Sequence, residues 1–292
     1  MPIPRTGGDD SLPYDMGNAG DLLKHGVLAE YVRWQCELGV PLRFLDPFGG
    51  EPSGPAAPEV ARRVRALPAG ALRVAQAGIE RGRYHGSGLV VRHTAEAAGT
   101  TVRILSGDAS TARCERLRAS GLGMLEEAFP ARATEEEHEP EAGYDGYRML
   151  DRIADGAEAG DLVLIDPFFD DFVGSRAVDV VPSVARITER AVALLFVLNP
   201  NPDDADGERF DALLRRHLRG AWRVACPPVR DTGVRGEATY CAEIVLAGCF
   251  RVAAKAGRDA GVLWRRLADF TWQLAATLRL PAERLAPRIV GY

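Results

Sequence analysis

Long apolar runs, closely spaced cysteines and an excess of positive charge are all missing from this sequence. No stretch approaches the ~18 consecutive apolar residues that a membrane helix needs. The opening Met1-Pro2-Ile3-Pro4-Arg5-Thr6 has no apolar secretion-signal core. The expectation is a cytoplasmic protein without membrane contact, with residues 1–13 as a flexible tail. The five cysteines (Cys36, Cys114, Cys226, Cys241 and Cys249) are scattered with no C-x-x-C pair. That spacing argues against a zinc site or disulfide framework and for core thiols; no metal is expected. The net charge of −5 weakens non-specific nucleic-acid binding, which rests on Lys and Arg neutralising phosphates. A local basic patch can still serve. Arg62, Arg63, Arg65, Arg73, Arg81, Arg83 and Arg92 are a candidate, while residues 134–141 read as a solvated acidic loop.

What is present is a large apolar fraction, 46%, and an alternation of two periodicities. Residues 20–38 carry apolar positions at helical spacing, closed by Gly39 and Pro41. Short strands follow at 42–46 and 101–105. The continuous apolar run Leu162-Val163-Leu164-Ile165 suits a parallel strand buried on both faces. Further strands are expected at 192–198, 222–226 and 239–246. Helices are expected at 110–120, 147–153, 178–190, 207–218 and 261–278, the last packing on the sheet. Residues 59–98 read as helical. The pattern predicts a doubly wound, mostly parallel α/β sheet. One domain over 14–292, with a helical insertion at about 55–98, fits the length.

Ligands of open α/β sheets bind at the carboxyl ends of the strands. Two strands here end in Asp-Pro: Leu45-Asp46-Pro47-Phe48-Gly49-Gly50 and Ile165-Asp166-Pro167-Phe168-Phe169. Glycines after the first strand let backbone approach a ligand closely. In the second, a carboxylate and the carbonyl of Pro167 can together accept both hydrogens of an exocyclic amine. An aromatic such as Phe169 can stack on a flat base. An Asp at this place also caps helices, and both roles stay open on these residues alone.

Gly17-Asn18-Ala19-Gly20-Asp21-Leu22-Leu23-Lys24-His25 resembles the Ala-Gly-Asn-x-x-Asp-Val-Leu-Lys-His segment of the bacterial 23S rRNA adenine-N6 methyltransferases, the RlmJ-like family. Later runs fall in the family's order. Phe44 to Gly50 is similar to its first cofactor motif, and Tyr84-His85-Gly86-Ser87-Gly88 to its Tyr-Pro-Gly-Ser-Pro turn. Tyr144-Asp145-Gly146-Tyr147 is similar to its Asp-Gly-Phe, and Leu164 to Phe169 to its Leu-Ile-Asp-Pro-Pro-Tyr. The islands span roughly residues 14–250.

The resemblance implies a seven-stranded class I methyltransferase fold and S-adenosylmethionine as cofactor. It implies Asp166 as the catalytic acceptor. Lys24, His25, Asp46, Phe48, Gly50, Ser87, Ser106, Asp145 and Gly146 would lie around the cofactor, and Tyr14, Pro167, Phe168 and Phe169 at the substrate. The implied activity is methyl transfer to an adenine N6 amine of 23S rRNA, with RNA as partner. Departures are local. Phe48 stands where the family has His, Pro52 where it has a third glycine, and Phe168 where it has the second proline. Ser106 stands where the family has an acidic residue, with Asp108 two positions on. These leave two alternatives: a diverged methyltransferase acting on a small-molecule amine, and a non-catalytic binding protein that keeps the fold.

Overall fold

The computed structural model describes residues 16–130, 144–167, 175–199, 205–230, 234, 241–250 and 259–290. Tyr14, Phe168, Phe169, the 1–13 tail and the acidic run at 134–141 lie outside them. The chain opens with α1 (Ala19–Glu37), followed by β1 (Arg43–Asp46) and β2 (Ser53–Pro55). Helices α2 (Pro58–Ala66) and α3 (Ala71–Ala75) lead to β3 (Arg83–His85), α4 (Ser87–Ala97) and β4 (Arg103–Ser106). Then come α5 (Thr111–Ala119), β5 (Gly123–Met124), α6 (Leu125–Ala128), α7 (Gly146–Gly156) and β6 (Asp161–Ile165). The last part holds α8 (Ser175–Thr188), β7 (Val192–Asn199), α9 (Ala205–His217), β8 (Trp222–Cys226), β9 (Cys241–Gly248), α10 (Ala260–Thr277) and β10 (Arg288–Ile289).

The protein is mixed α/β, built on a large, mostly parallel sheet ordered β10-β8-β9-β7-β6-β1-β4-β5. Strands β5 through β7 of this order pair in parallel, and β9 pairs antiparallel with both β7 and β8. The sheet therefore has eight strands among the described residues, not the expected seven. The extra one is the two-residue edge strand β10, antiparallel to β8, too short to leave a periodic trace in sequence. A second correction falls in the 59–98 stretch. It is not all helix: β3 pairs antiparallel with β2 in a separate two-stranded sheet.

Side chains alternate across the strands with period two. Phe44, Leu162, Leu164 and Leu194 enter one core with α1–α5 and α10, while Leu45, Val163, Ile165 and Leu195 enter the other with α6–α9. Helices thus cover both faces, which is why β6 is apolar from Leu162 to Ile165 and buried along its whole length, its first residue Asp161 pairing with Arg43. Helix α1 is buried almost throughout, charged residues included. It lies against α3, α4 and α10. At Gly26 the crossing with α10 is so close that a Cβ would lie 1.7 Å from the Phe270 ring; only glycine fits there. Helix α10 packs as expected, with Leu263, Leu267, Phe270 and Leu274 buried.

One feature of the winding positions the site. From β1 the chain builds outward through β4 to β5, then returns to place β6 on the other side of β1. The carboxyl ends of β1 and β6 flank the point where the winding reverses, the usual place for a ligand crevice. Asp46 ends β1 and Asp166 follows β6.

Candidate active site at the carboxyl ends of β1 and β6

Helix α1 delivers the central cation. Its N-cap Asn18 accepts a hydrogen bond from the Asp21 N–H at 3.0 Å, and Asp21 Oδ2 accepts from the Gly17 N–H at 2.9 Å. Gly17 holds a left-handed φ of +87°, and a Cβ there would strike Val60 and Tyr84, so the turn requires glycine. This fixed first turn aims Lys24 at the strand ends. Its ammonium donates to Asp21 Oδ1 at 2.9 Å and to Asp166 Oδ2 at 2.5 Å, and lies 4.9 Å from the centre of the Phe196 ring.

The three carboxylates near this cation differ. Burial would raise Asp21, but Lys24, His25 and the Gly17 N–H hold it below the ordinary range. Burial raises Asp166, and Lys24 only partly offsets it. Asp46 is 1% exposed. Burial first and the Asp166 charge second push its carboxyl up to about 7. The Phe48 N–H donates to Asp46 Oδ1 at 3.2 Å.

A folded-state value raised this way stabilises the protein while Asp46 stays protonated. Stability is lost as pH rises from the unfolded value near 4 through about 7. Asp46→Asn keeps an acceptor for the Phe48 N–H and removes the titration. The expected result is a variant more stable than wild type at pH 8, by on the order of 3 kcal/mol, and little different at pH 4. Urea unfolding at the two pH values measures it; an equal difference at both would contradict the assignment.

Beside Lys24, His25 is buried. Its Nδ1 lies 2.9 Å from the Tyr84 hydroxyl and its Nε2 3.1 Å from Ser87 Oγ. Burial and the Lys24 charge push the imidazole down to about 3, so it is neutral at working pH. Ser87 is the first residue of α4. Thus Lys24, His25, Asp46, Ser87 and Asp166 come together.

The Asp46–Gly50 turn is fastened to the end of β4. The Gly49 N–H donates to the Gly107 carbonyl at 2.8 Å, and the Gly107 N–H to the Asp46 carbonyl at 2.9 Å. The Gly50 N–H donates to Asp108 Oδ2 at 3.2 Å. Asp108 also accepts from the Ser110 N–H at 2.7 Å and faces Arg113 at 3.4 Å, so its carboxylate is engaged in holding the loop. Ser106, by contrast, is buried with a hydroxyl that has no partner among the described residues. Gly50 has a φ of +56°, and a Cβ there would meet nothing nearer than the Phe48 carbonyl at 3.9 Å. Bare backbone faces open space. Pro52 anchors the loop: its carbonyl accepts from the Gly86 N–H at 2.9 Å.

Phe48 and Gly146 are in contact, since a Cβ on Gly146 would lie 2.4 Å from the Phe48 ring. Tyr147 packs edge-on against Phe48. Asp145 is exposed, and Oδ1 caps α7 by accepting from the Tyr147 N–H at 2.9 Å. The sequence reading missed Asp21, Tyr84 and Tyr144 as parts of this assembly. The Tyr144 hydroxyl donates to the Pro47 carbonyl at 2.8 Å. The i,i+3 spacing of Asp21 and Lys24 was a usable signal; the other two depend on contacts distant in sequence.

The candidate basic patch is largely engaged internally. Arg62 and Arg63 pair with Glu59, and Arg65 pairs with Glu80. Arg83 donates to Ser53, Arg73 to the Leu67 carbonyl, and Arg92 to the Ser120 and Gly121 carbonyls. Among the described residues no three His, Cys, Asp or Glu side chains form a metal-binding group, and no helix is long and apolar enough to cross a membrane. All five cysteines are free thiols.

No family model matches the chain, and no curated protein matches it. Among solved structures it is similar to the crystal structure of protein LPL1258 from Legionella pneumophila str. Philadelphia 1, described by the family model DUF519. The two are 13% identical over 94% of this chain and 96% of that one, with a TM-score of 0.56. At this identity the likeness is one of fold.

Proposed function

We propose that this chain is an S-adenosylmethionine-dependent N-methyltransferase that acts on an aromatic exocyclic amine, the N6 amine of an adenine in 23S rRNA by the family resemblance. The observation that carries the reading is the Lys24–Asp166 pair. These residues lie 142 positions apart in the two most specific runs of the resemblance, and meet at 2.5 Å. They do so beside the reversal of the sheet winding, where α/β proteins bind ligands.

The residues present fit the cofactor. Gly50 offers open backbone, Ser106 a buried hydroxyl unsatisfied among the described residues, and Ser87 a hydroxyl beside His25. When bound, S-adenosylmethionine supplies a methyl group on a sulfonium, and with it the chemical driving force. The protein's part is position and charge. Asp166 Oδ2 is held by Lys24, and Oδ1 has no hydrogen bond among the described residues. Oδ1 is the acceptor for one amine hydrogen and the Pro167 carbonyl for the other. That holds the nitrogen lone pair toward the methyl donor. Asp166, with its carboxyl raised by burial, is suited to take the proton that the methylated nitrogen sheds.

A second reading, a small-molecule amine as acceptor, is favoured by the internal engagement of the arginines at 62–92. One experiment separates the two. Protein and S-adenosylmethionine are incubated with unmodified 23S rRNA, and the digested nucleosides are analysed by mass spectrometry. N6-methyladenosine formed by wild type and not by Asp166→Ala supports the RNA reading. Cofactor binding without methylation of the RNA favours the small amine.

A further inference from the structure

We propose that Tyr84 is a positioning residue that fixes the tautomer of His25 and thereby leaves the hydroxyl hydrogen of Ser87 free to donate to a bound ligand. The inference deepens the cofactor reading above and names the ligand group concerned, the amino-acid carboxylate of S-adenosylmethionine.

Tyr84 is fully buried, and among the described residues its hydroxyl has one hydrogen-bond partner, His25 Nδ1 at 2.9 Å. The ring stacks on the imidazole with centroids 5.5 Å apart, and the tight Gly17 turn sits against it. It is also pinned from below, since Tyr84 pairs with Gly54 in the β2–β3 ladder. Burial holds the phenol protonated, and His25 is neutral, so the imidazole carries a single N–H.

Two arrangements satisfy these distances. In one, Nδ1–H donates to the Tyr84 oxygen and the Ser87 hydroxyl donates to Nε2. The phenol O–H is then stranded in the interior with no acceptor, a costly state. In the other, the Tyr84 O–H donates to Nδ1, and Nε2–H donates to Ser87 Oγ at 3.1 Å. Every buried donor of the relay is then used, and the one hydrogen left over belongs to Ser87, which is 7% exposed. The second arrangement is the satisfied one. It converts Ser87 from an ambivalent hydroxyl into a committed donor, one hydrogen bond from the imidazole on which the Lys24 charge bears. A committed donor in the field of a cation favours an anionic acceptor, and a carboxylate is the anionic group of the cofactor.

The test uses full-length wild type and Tyr84→Phe, which keeps the ring and removes the hydroxyl. Nitrogen-15 NMR of the ligand-free proteins reads the His25 tautomer. The proposal expects protonated Nε2 and a bare, hydrogen-bonded Nδ1 in wild type, and in the variant an Nδ1 without its hydrogen bond and a tautomer no longer fixed, since Nδ1 is then unpaired in either form. A wild type protonated at Nδ1 overturns it, whatever the protein binds. Both proteins are then titrated with S-adenosylmethionine and with 5′-deoxy-5′-methylthioadenosine, which lacks the amino-acid portion. Tyr84→Phe is expected to weaken the first by about tenfold and the second less than twofold. Equal losses for both ligands would mark a merely structural residue and overturn the proposal. Failure of wild type to bind either ligand, with the tautomer as expected, would overturn the cofactor reading and its carboxylate while supporting the role of Tyr84 toward Ser87.

Discussion

On the proposed methyltransferase reading, Asp166→Asn is expected to lower the methyl-transfer rate by about 10²–10³-fold, with the affinity for S-adenosylmethionine changed much less. The magnitude is that of removing one preorganised polar partner from developing charge. As nitrogen takes the methyl group it becomes positive, and a carboxylate facing its hydrogens is worth more in the transition state than in the ground state. An amide in the same place keeps an acceptor oxygen and loses the charge. It also loses the site for the departing proton. Single-turnover kinetics measures the step directly. A rate within threefold of wild type would remove Asp166 from the chemistry. Because Asp166 is raised by burial and only partly lowered by Lys24, the wild-type rate is expected to fall as pH is lowered and the carboxyl protonates. Asp166→Asn should lack that fall.

The second large effect is on stability. Lys24 is buried, with 7% of its side chain exposed, and its ammonium joins the side chains of Asp21 and Asp166, which are 12% and 19% exposed. Lys24→Met preserves most of the volume and removes the charge. Two carboxylates are then left in the interior without their cation, close to Asp46. Breaking a buried ion pair from one side costs about 3–5 kcal/mol. The sign of its pH dependence follows from Asp21, whose folded value is depressed by Lys24. The stability it contributes is present above the unfolded value near 4 and is lost as pH falls through the folded value. The penalty of Lys24→Met is therefore largest at pH 7–8 and shrinks toward pH 4, where protonation relieves both carboxylates. Adding Asp166→Asn to Lys24→Met restores part of the loss at pH 8. Chemical denaturation at the two pH values reads these differences, and a penalty that grew toward acid pH would contradict the assigned network.

Much of the frame was legible because burial writes itself into periodicity. The unbroken apolar run Leu162 to Ile165 marked the central strand β6, and helical spacing over 20–38 marked α1 within a residue of its ends. What escaped was short. β5 and β10 have two residues each, and β3 has three, bounded by Gly82 and Gly86. None is long enough to show alternation. At the site, the sequence marked Lys24, His25, Ser87 and Asp166 through ordered islands, and the fold brings them into one cluster. Tyr84 and Tyr144 stand in those islands too, but their roles were not legible, because they arise from contacts 59 and 97 residues away in the chain. Nor could the sequence tell a basic patch from a set of internal ion pairs. Arg62, Arg63 and Arg65 look alike in sequence, yet in the fold the first two share Glu59 and the third pairs with Glu80.

Asp108 shows the same limit from the other side. Two residues past Ser106, it stands as a ready replacement for an acidic cofactor ligand. In the fold both of its oxygens are taken, by the N–H groups of Gly50 and Ser110 and by Arg113. Among the described residues, the hydroxyl left without a partner here is that of Ser106. A hydroxyl in place of a carboxylate can both donate and accept, which suits a ligand hydroxyl as well as a carboxylate does in geometry, with less charge behind it.

The most direct test of the central claim is calorimetric titration of the full-length protein with S-adenosylmethionine. The account predicts saturable one-site binding with a micromolar dissociation constant, about −8 kcal/mol, and a matching rise in thermal stability. Absence of heat and of any thermal shift at millimolar cofactor would contradict the methyltransferase reading.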